Sequence, residues 1–462
     1  MLKRRPPADP PEPGVTPFPI SEATPVTWPA PHPAETDVVV IGGGVIGVCT
    51  ALFLARSGQR VVLLEKGRIA GEQSSRNWGW IRQQGRDPDE LPIMVEANRL
   101  WRDLASETNV DIGLKTGGVT YLAATEKAMA GYADWLVHAA ANGVDSRLLS
   151  TAETAELIPG MARRYAGALY TASDMRAEPW VAVPALAGIA ARAGVSIVEN
   201  CAVRALDIAA GRVAGVITEQ GRIKASEVVL AGGAWSSLFL RRHGVAIPQL
   251  SVRSTVAATG PMPMVYPGGA TDENLAFRPR ADGGYSLAPG GMVELFVGPD
   301  AFRSLPKYLA QLRADPLGVK LYPAAPRGFP DAWATARSWA ADAISPFEKM
   351  RVLNPAPSKR KLRGLTRDFA ALFPDLGPVQ VKSAWAGMID TMPDVVPVVD
   401  RVAALPGLTV GTGMSGHGFG IGPGMGKVLA ALVTGAEVGH DLTRFRLARF
   451  SDGSPMRIGP SL

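Results

Sequence analysis

Asp37-Val-Val-Val-Ile41-Gly42-Gly43-Gly44-Val45-Ile46-Gly47 decides the fold of this 462-residue chain. Asp37 to Ile41 is a continuous apolar run of the kind buried at the centre of a parallel sheet. The glycines that follow match GxGxxG, and a helix is expected from Val45 to Ser57, stopping at Gly58. Arg60 to Glu65 then reads as a second strand ending in an acid. Each glycine has a task. Gly42 permits the tight turn, Gly44 lets the backbone approach a pyrophosphate, and Gly47 lets helix and strand pack closely. The free N–H groups and positive dipole end of the helix, at Val45 and Ile46, then face the phosphates. Glu65 lies 23 residues past Gly42, where a carboxylate accepts from both ribose hydroxyls and repels a 2′-phosphate, which argues against NADP. Val38 to Ala55 approaches membrane-spanning length, but the glycines at its centre and Arg56 at its end fit a strand, turn and helix better.

Working outward, the composition is that of a packed globular protein, with 47% hydrophobic and 19% charged residues. The net charge of +6 is small for this length and gives no reason to expect nucleic-acid binding. Cys49 and Cys201 form no disulfide framework and read as small buried hydrophobes, as a reducing cytoplasm allows. His32, His138, His243, His417 and His440 share no ligand spacing, so no metal site is expected. Residues 1–35 begin with a basic patch and continue with prolines and no apolar core, which predicts an extended or disordered tail without a signal peptide.

Spacing alone leaves FAD and NAD open. Gly71-Glu-Gln-Ser74-Ser75-Arg76-Asn-Trp-Gly-Trp80 is rich in hydroxyls and small residues that could meet a second phosphate and a ring system. The stretch Val38 to Arg76, above all Glu65-Lys66-Gly-Arg-Ile-Ala-Gly-Glu-Gln73-Ser-Ser-Arg76, resembles the D-amino-acid-oxidase-like superfamily of FAD enzymes. Within it the resemblance is greatest to bacterial membrane-associated L-amino acid deaminases, over roughly residues 36 to 445. Ala231-Gly232-Gly-Ala-Trp235-Ser236 is similar to the family's small-residue turn near the flavin, and Trp385-Ala-Gly-Met-Ile-Asp-Thr-Met-Pro-Asp394 to its last crossing into the cofactor domain. Gly413-Met-Ser-Gly416-His417-Gly418-Phe419-Gly420-Ile421 is similar to its C-terminal glycine loop under the flavin pyrimidine ring, ahead of a helix expected over 424–434. Backbone N–H groups there can stabilise negative charge on a reduced flavin.

The resemblance implies non-covalent FAD, held by Gly42, Gly44, Val45, Ile46, Gly47, Glu65, Lys66, Gln73, Ser74, Ser75, Arg76, Ala231, Gly232, Trp235 and residues Gly416 to Ile421, with Val203 beside the adenine. It also implies an α/β fold in two parts. A discontinuous Rossmann-like FAD domain takes 36–117, 167–240 and 380–450. An α+β substrate domain with a mixed sheet takes 118–166 and 241–379, with an insertion over about 291–375. Pro179 to Ala193 reads as a helix and Ser196 to Val203 as a strand.

The implied chemistry is oxidative deamination of an α-amino acid, leaning L-, to a 2-oxo acid and ammonia, by hydride transfer from Cα to flavin N5. Arg278, in Phe277-Arg-Pro-Arg280, matches the deaminases' substrate-side strand and is the expected carboxylate anchor, with Tyr285 adding a hydroxyl and Arg280 as runner-up. His417 is a candidate base. Where the deaminases place a glutamine near the substrate this chain has Trp80, followed by Arg82, Gln83 and Gln84, which leaves the preferred amino acid and enantiomer open. A D-amino acid or N-alkyl amino acid enzyme of the same fold, a flavin subunit of a multi-protein dehydrogenase, and an NAD-dependent dehydrogenase are the alternatives. Oxygen or a quinone would accept the electrons. The insertion carries Ile344-Ser-Pro-Phe-Glu-Lys349 and a basic run at Lys359-Arg-Lys361 and Arg363. Its composition permits peripheral contact with the inner face of a membrane, and a solvated loop on a cytoplasmic enzyme is the other reading.

Overall fold

Four consecutive β-branched residues, Val38–Ile41, have apolar surface on both faces and therefore need cover on both. The computed structural model, which describes residues 18–459 apart from positions 292 and 317, supplies it. The strand lies inside a six-stranded sheet in the order Val398–Arg401, Leu408–Thr412, Glu227–Leu230, Val38–Ile41, Val61–Leu64, Ser196–Val198. All pairings are parallel except that of the edge strand Val398–Arg401. On one face pack the helices Val45–Arg56, Leu91–Ser106, Pro179–Arg192 and Gly418–Thr434, around a core that includes Val48, Leu52, Trp101 and Met425. On the other face a three-stranded antiparallel sheet, Val203–Ala209, Arg212–Thr218 and Gly221–Lys224, closes over Val39 and Val62.

The first helix ends at Arg56 and is followed by Gly58 at φ 86°, the left-handed stop expected from the sequence. The last helix differs from expectation. It begins at Gly418, six residues before Gly424, so much of the glycine loop is its first turns. The glycines are there for close approach. A Cβ on Gly422 would stand 2.6 Å from Val45, one on Gly424 2.6 Å from the Ile93 carbonyl oxygen, and one on Gly426 2.5 Å from Cys49. Another departure lies at residues 196–203. The strand stops at Val198 because Glu199 turns inward to accept the N–H groups of Thr27, Trp28 and Ile69, and Asn200 takes φ 53°. A second strand starts at Val203.

The second sheet has ten strands and is mixed. Its centre is Leu250–Thr259, which pairs along its length with Val381–Thr391 and over shorter stretches with Tyr285–Pro289 and Val293–Phe296. Leu275–Pro279, Gly269–Thr271, Val119–Ala123, Gly167–Thr171 and Ser146–Ser150 complete one side. Gly167–Thr171 thus pairs within this sheet, although residue 167 was the expected restart of the cofactor domain, because both its edges are filled by Val119–Ala123 and Ser146–Ser150. One face, with Phe277, Tyr285 and Leu287, packs on the helix Lys359–Leu372. The other carries Val119, Val256, Ala258, Ala276, Ala288 and Trp385, and Trp80 packs against it.

Of the tail expected over residues 1–35, residues 1–17 lie outside the described part. Residues 18–35 are extended but fastened. Ile20 is buried, Arg76 donates to its carbonyl, and Arg68 donates to the carbonyls of Glu22 and Thr24. Phe18 packs edge-to-face with Trp385 and at a tilt against Trp180, with centroids 4.5 and 4.7 Å away. No helix among the described residues is long and apolar enough to cross a membrane.

Candidate active site

Because the first strand ends where its helix begins, the turn Gly42–Gly44 opens a cleft at the carboxyl edge of the six-stranded sheet. The cleft has about 1230 Å³ of empty space, part of it open to solvent. Its walls bring together Gly42, Gly44, Val45, Ile46, Glu65, Lys66, Gln73, Ser74, Val203, Ala231, Gly232, Trp235, Gly416, Gly418 and Phe419 from five separate stretches of sequence. The early and the late glycine turns, 374 residues apart from Gly42 to Gly416, therefore face one space.

The early turn has no room for side chains. A Cβ on Gly42 would stand 2.4 Å from the Ala231 carbonyl oxygen, and Gly42 itself has φ 110°. Gly47 does not line the cleft. It sits against the turn, where a Cβ would come within 1.9 Å of the Gly42 oxygen. Val45 N–H donates to Ser74 Oγ at 2.9 Å, so a hydroxyl stands at the helix N-terminus. Glu65 accepts from Gly43 N–H at 2.8 Å and Gly67 N–H at 2.7 Å. Burial, with a contribution from Glu72, pushes its carboxyl up to about 7 against these bonds and Lys66. Lys66 Nζ donates to Glu72 and to the carbonyls of Met350 and Arg351, and lies 4.5 Å from the centre of the Trp235 ring. Gln73 Oε1 is buried without a hydrogen-bond partner in the structure.

Several expected residues stand elsewhere. Ser75 is buried, with Oγ toward the Glu72 carbonyl. Arg76 is a buried hub: it donates to the carbonyls of Ile20, Gly71 and Ala386 and to Asn354 Oδ1. Ile421 lies in the core, and Gly420 accepts from Trp101 Nε1 at 2.8 Å. His417 points away from the cleft. Its Nδ1 lies 3.2 Å from Glu90 Oε2 in a fully buried pair, and burial, helped by Arg86 and Arg82, holds the imidazole well below its usual range.

The expected substrate anchor is engaged with protein groups. Arg278 is 1% exposed, and its guanidinium grips both oxygens of Glu178 at 2.9 and 2.8 Å and the carbonyls of Trp78 and Pro279. Burial opposes the charge on Glu178, but Arg278 and the Ala281 N–H outweigh it and hold the carboxyl below its usual range. Tyr285 OH donates to the Pro263 carbonyl and accepts from Val265 N–H, on the face of the sheet away from the cleft. Arg280 is paired with Asp282 and lies 4.5 Å from the Trp180 ring centre. Gln83 donates to Ser173 and Asp174. Trp80 Nε1 is buried and unpartnered.

Other residues of the cleft were not anticipated. Asp390 lines it, accepts from Gly413 N–H at 2.7 Å, and is pushed up to about 6 by burial. Met388, Asn77, Glu72, Thr412 and Met414 join it. The signal for Asp390 was a lone acid inside the apolar run Trp385 to Met392.

A dinucleotide cleft with a glycine turn at each end defines a nucleotide-dependent redox protein. The family model described as "DAO: FAD dependent oxidoreductase" matches residues 37–432, and the chain belongs to that family. It is a FAD-dependent oxidoreductase, and the glycine-walled cleft fits that cofactor. The chain is similar to the structure of an L-amino acid deaminase from Proteus myxofaciens in complex with anthranilate, with 30% identity, coverage of 92% of this chain and 96% of that one, and a TM-score of 0.87. It is 32% identical over 237 residues to human mitochondrial sarcosine dehydrogenase, spanning half of this chain but only 26% of that protein's length. Glycine oxidase from Geobacillus kaustophilus is 26% identical over 424 residues, covering 89% of this chain and 97% of the relative.

Proposed function

We propose that this protein oxidises the Cα–N bond of an α-amino acid, leaning L-, and that water then converts the imine to a 2-oxo acid and ammonia. The reading is carried by one observation: the likeness to the Proteus deaminase runs through 92% of this chain, cofactor cleft and second sheet together. Bound FAD supplies the hydride acceptor. The protein's own share is position and exclusion of water. Gly42 and Gly44 would admit the pyrophosphate to the helix N-terminus at Val45 and Ile46, with Glu65 and Val203 toward the adenosine. Gly416, Gly418 and Phe419 would present backbone dipoles at the flavin end of the cleft, and Met388 and Asp390 would close its side. The alanine-rich sheet face, Ala258, Ala276 and Ala288 bordered by Trp80 and Trp385, would roof the substrate.

Incubating the holoenzyme with L-, D- and N-alkyl amino acids and assaying 2-oxo acid and ammonia tests this. One-to-one release from L-amino acids supports it. Activity confined to N-methyl substrates favours the second reading, which the sarcosine dehydrogenase likeness supports. The electron acceptor is oxygen or a quinone.

The insertion also bears on location. Along the helix Pro299–Ala314, Phe302, Leu305, Leu309 and Leu312 form a solvent-facing stripe, with Leu321, Trp333 and Ile344 exposed elsewhere in the insertion and Phe302 5.9 Å from Trp333. Arg303, Lys307, Arg313 and Arg327 are exposed in the same region. Apolar stripe plus exposed cations supports peripheral docking on an anionic membrane surface.

A further inference from the structure

One side of the alanine-rich face is closed by a residue that lies ahead of the family-matched span 37–432. Phe18 packs against the cluster of Trp80, Ala258, Ala276, Ala288 and Trp385. Its ring meets Trp385 edge-on with centroids 4.5 Å apart and tilts against Trp180 at 4.7 Å. Trp78 borders the same cluster, edge-on to Trp80 at 5.4 Å. Ala276 and Ala288 oppose each other directly across one strand pair, so small side chains form a floor between aromatic walls. That floor is turned toward the cofactor loop. Trp385 Nε1 donates to the Arg76 carbonyl at 2.9 Å, and a Cβ on Gly387 would collide with Oε1 of Gln73, a residue of the cleft wall.

Phe18 is held in place by its neighbours in sequence. Ile20, two residues on, is 1% exposed, and its carbonyl accepts from Arg76 Nη2 at 2.8 Å. Arg68 donates to the carbonyls of Glu22 and Thr24 at 3.1 and 2.6 Å. Glu22 Oε1 accepts from the N–H groups of Arg351 and Val352 at 3.1 and 3.3 Å. None of these bonds uses the Phe18 side chain, so the segment keeps its course when that ring is changed. On the far side of the ring stands a charged rim. Arg280 lies 4.5 Å from the Trp180 ring centre and 6.0 Å from that of Trp385, and it pairs with Asp282, which the exposed Lys382 also reaches at 3.2 Å. The half-buried Phe18 therefore stands between a small-residue floor and a solvent-facing rim.

We propose that Phe18 is the outer wall of the space that receives the substrate's side chain, and that its ring sets the largest side chain the enzyme accepts. The proposal rests on the amino-acid reading above. The segment ahead of the first strand is then part of the substrate chamber, and Arg68 and Arg76, which hold it, fix the wall's distance from the cofactor loop. A wall of this kind discriminates by exclusion: a side chain that reaches the ring must displace it or stay out.

The test uses the FAD-loaded wild type, Phe18→Ala and Phe18→Trp. Anthranilate and 3-amino-2-naphthoate, the same acid with a further fused ring, are titrated by perturbation of the flavin absorbance, and kcat/KM is measured for L-tryptophan and L-alanine. In Phe18→Ala the larger acid gains on the smaller in Kd, and L-tryptophan gains on L-alanine in kcat/KM, each by about tenfold or more. In Phe18→Trp both ratios move the other way. Both variants retain FAD. Ratios that stay at their wild-type values, or that move in the same direction in both variants, overturn the proposal. A lower Tm in Phe18→Ala with both ratios unchanged also overturns it, because the ring then only packs. A wild type that binds neither acid does the same. If the acid ratios move as stated but no amino acid is oxidised, the proposed reaction fails and the wall stands.

Discussion

Removing the Arg278 side chain separates a structural arginine from a substrate-binding one. In the Arg278→Ala variant, Glu178, 4% exposed, keeps its Ala281 N–H bond but loses both guanidinium contacts, at 2.9 and 2.8 Å. Breaking a buried pair by deleting one partner costs about 3–5 kcal/mol, mostly the burial of the charge left behind. Unfolding entropy near the midpoint is about 2.1 cal/mol/K per residue, so this 462-residue chain carries about 1 kcal/mol/K. Tm then falls by about 4 °C if unfolding is cooperative. Replacing both partners, in Arg278→Met with Glu178→Leu, costs less than Arg278→Ala alone, since no charge remains stranded. The burden of a stranded Glu178 grows with pH as the carboxyl ionises, and acid partly relieves it. The assay is thermal unfolding of the FAD-loaded proteins, with KM measured alongside. A variant with unchanged Tm and a KM raised tenfold or more would refute the reasoning and return Arg278 to the substrate.

Three further outcomes are expected. Burial raises Glu90 from its ordinary 4.5 to about 7 in the fold. Its contribution to stability is therefore full below about pH 4.5 and lost as pH rises through 7, so Glu90→Gln flattens that part of the Tm–pH profile, and parallel profiles would contradict this. Gly426→Leu drives a side chain into Cys49, where even a Cβ would stand at 2.5 Å, and costs on the order of 3 kcal/mol or more with loss of retained FAD; a stable, fully flavinated variant would show that the helices can part. Replacing Phe302, Leu305 and Leu309 together by serine abolishes co-sedimentation with anionic vesicles and leaves kcat unchanged, whereas equal binding by both proteins would remove the docking surface.

What was legible follows from range. The unit from Val38 to Glu65 could be read because strand, turn, helix and second strand follow one another within 28 residues, although Gly42 also answers to the distant Ala231 carbonyl. The late glycine stretch was placed correctly in space but misread as a loop, because its glycines answer to Val45, Ile93 and Cys49, more than 300 residues earlier. Arg278 looked available because Glu178 lies 100 residues away, and nothing local announces such a partner. Arg76 likewise reads as a cofactor residue beside Ser74 and Ser75, yet its side chain donates to carbonyls of two distant segments, at Ile20 and Ala386, as well as to the nearby Gly71. Ten strands drawn from residues 119 to 391 were visible only as a mixed sheet, since register depends on long-range pairing.

The account depends most on one flavin, seated between Gly42–Gly44 and Gly416–Phe419, being reduced by an amino acid. Anaerobic mixing of the FAD-loaded protein with single L-amino acids, followed by visible absorbance, tests that directly. Bleaching of the flavin by L- but not D-enantiomers, at a rate that accounts for turnover, is the predicted result. A flavin that stays oxidised with every L-, D- and N-alkyl amino acid would contradict the account.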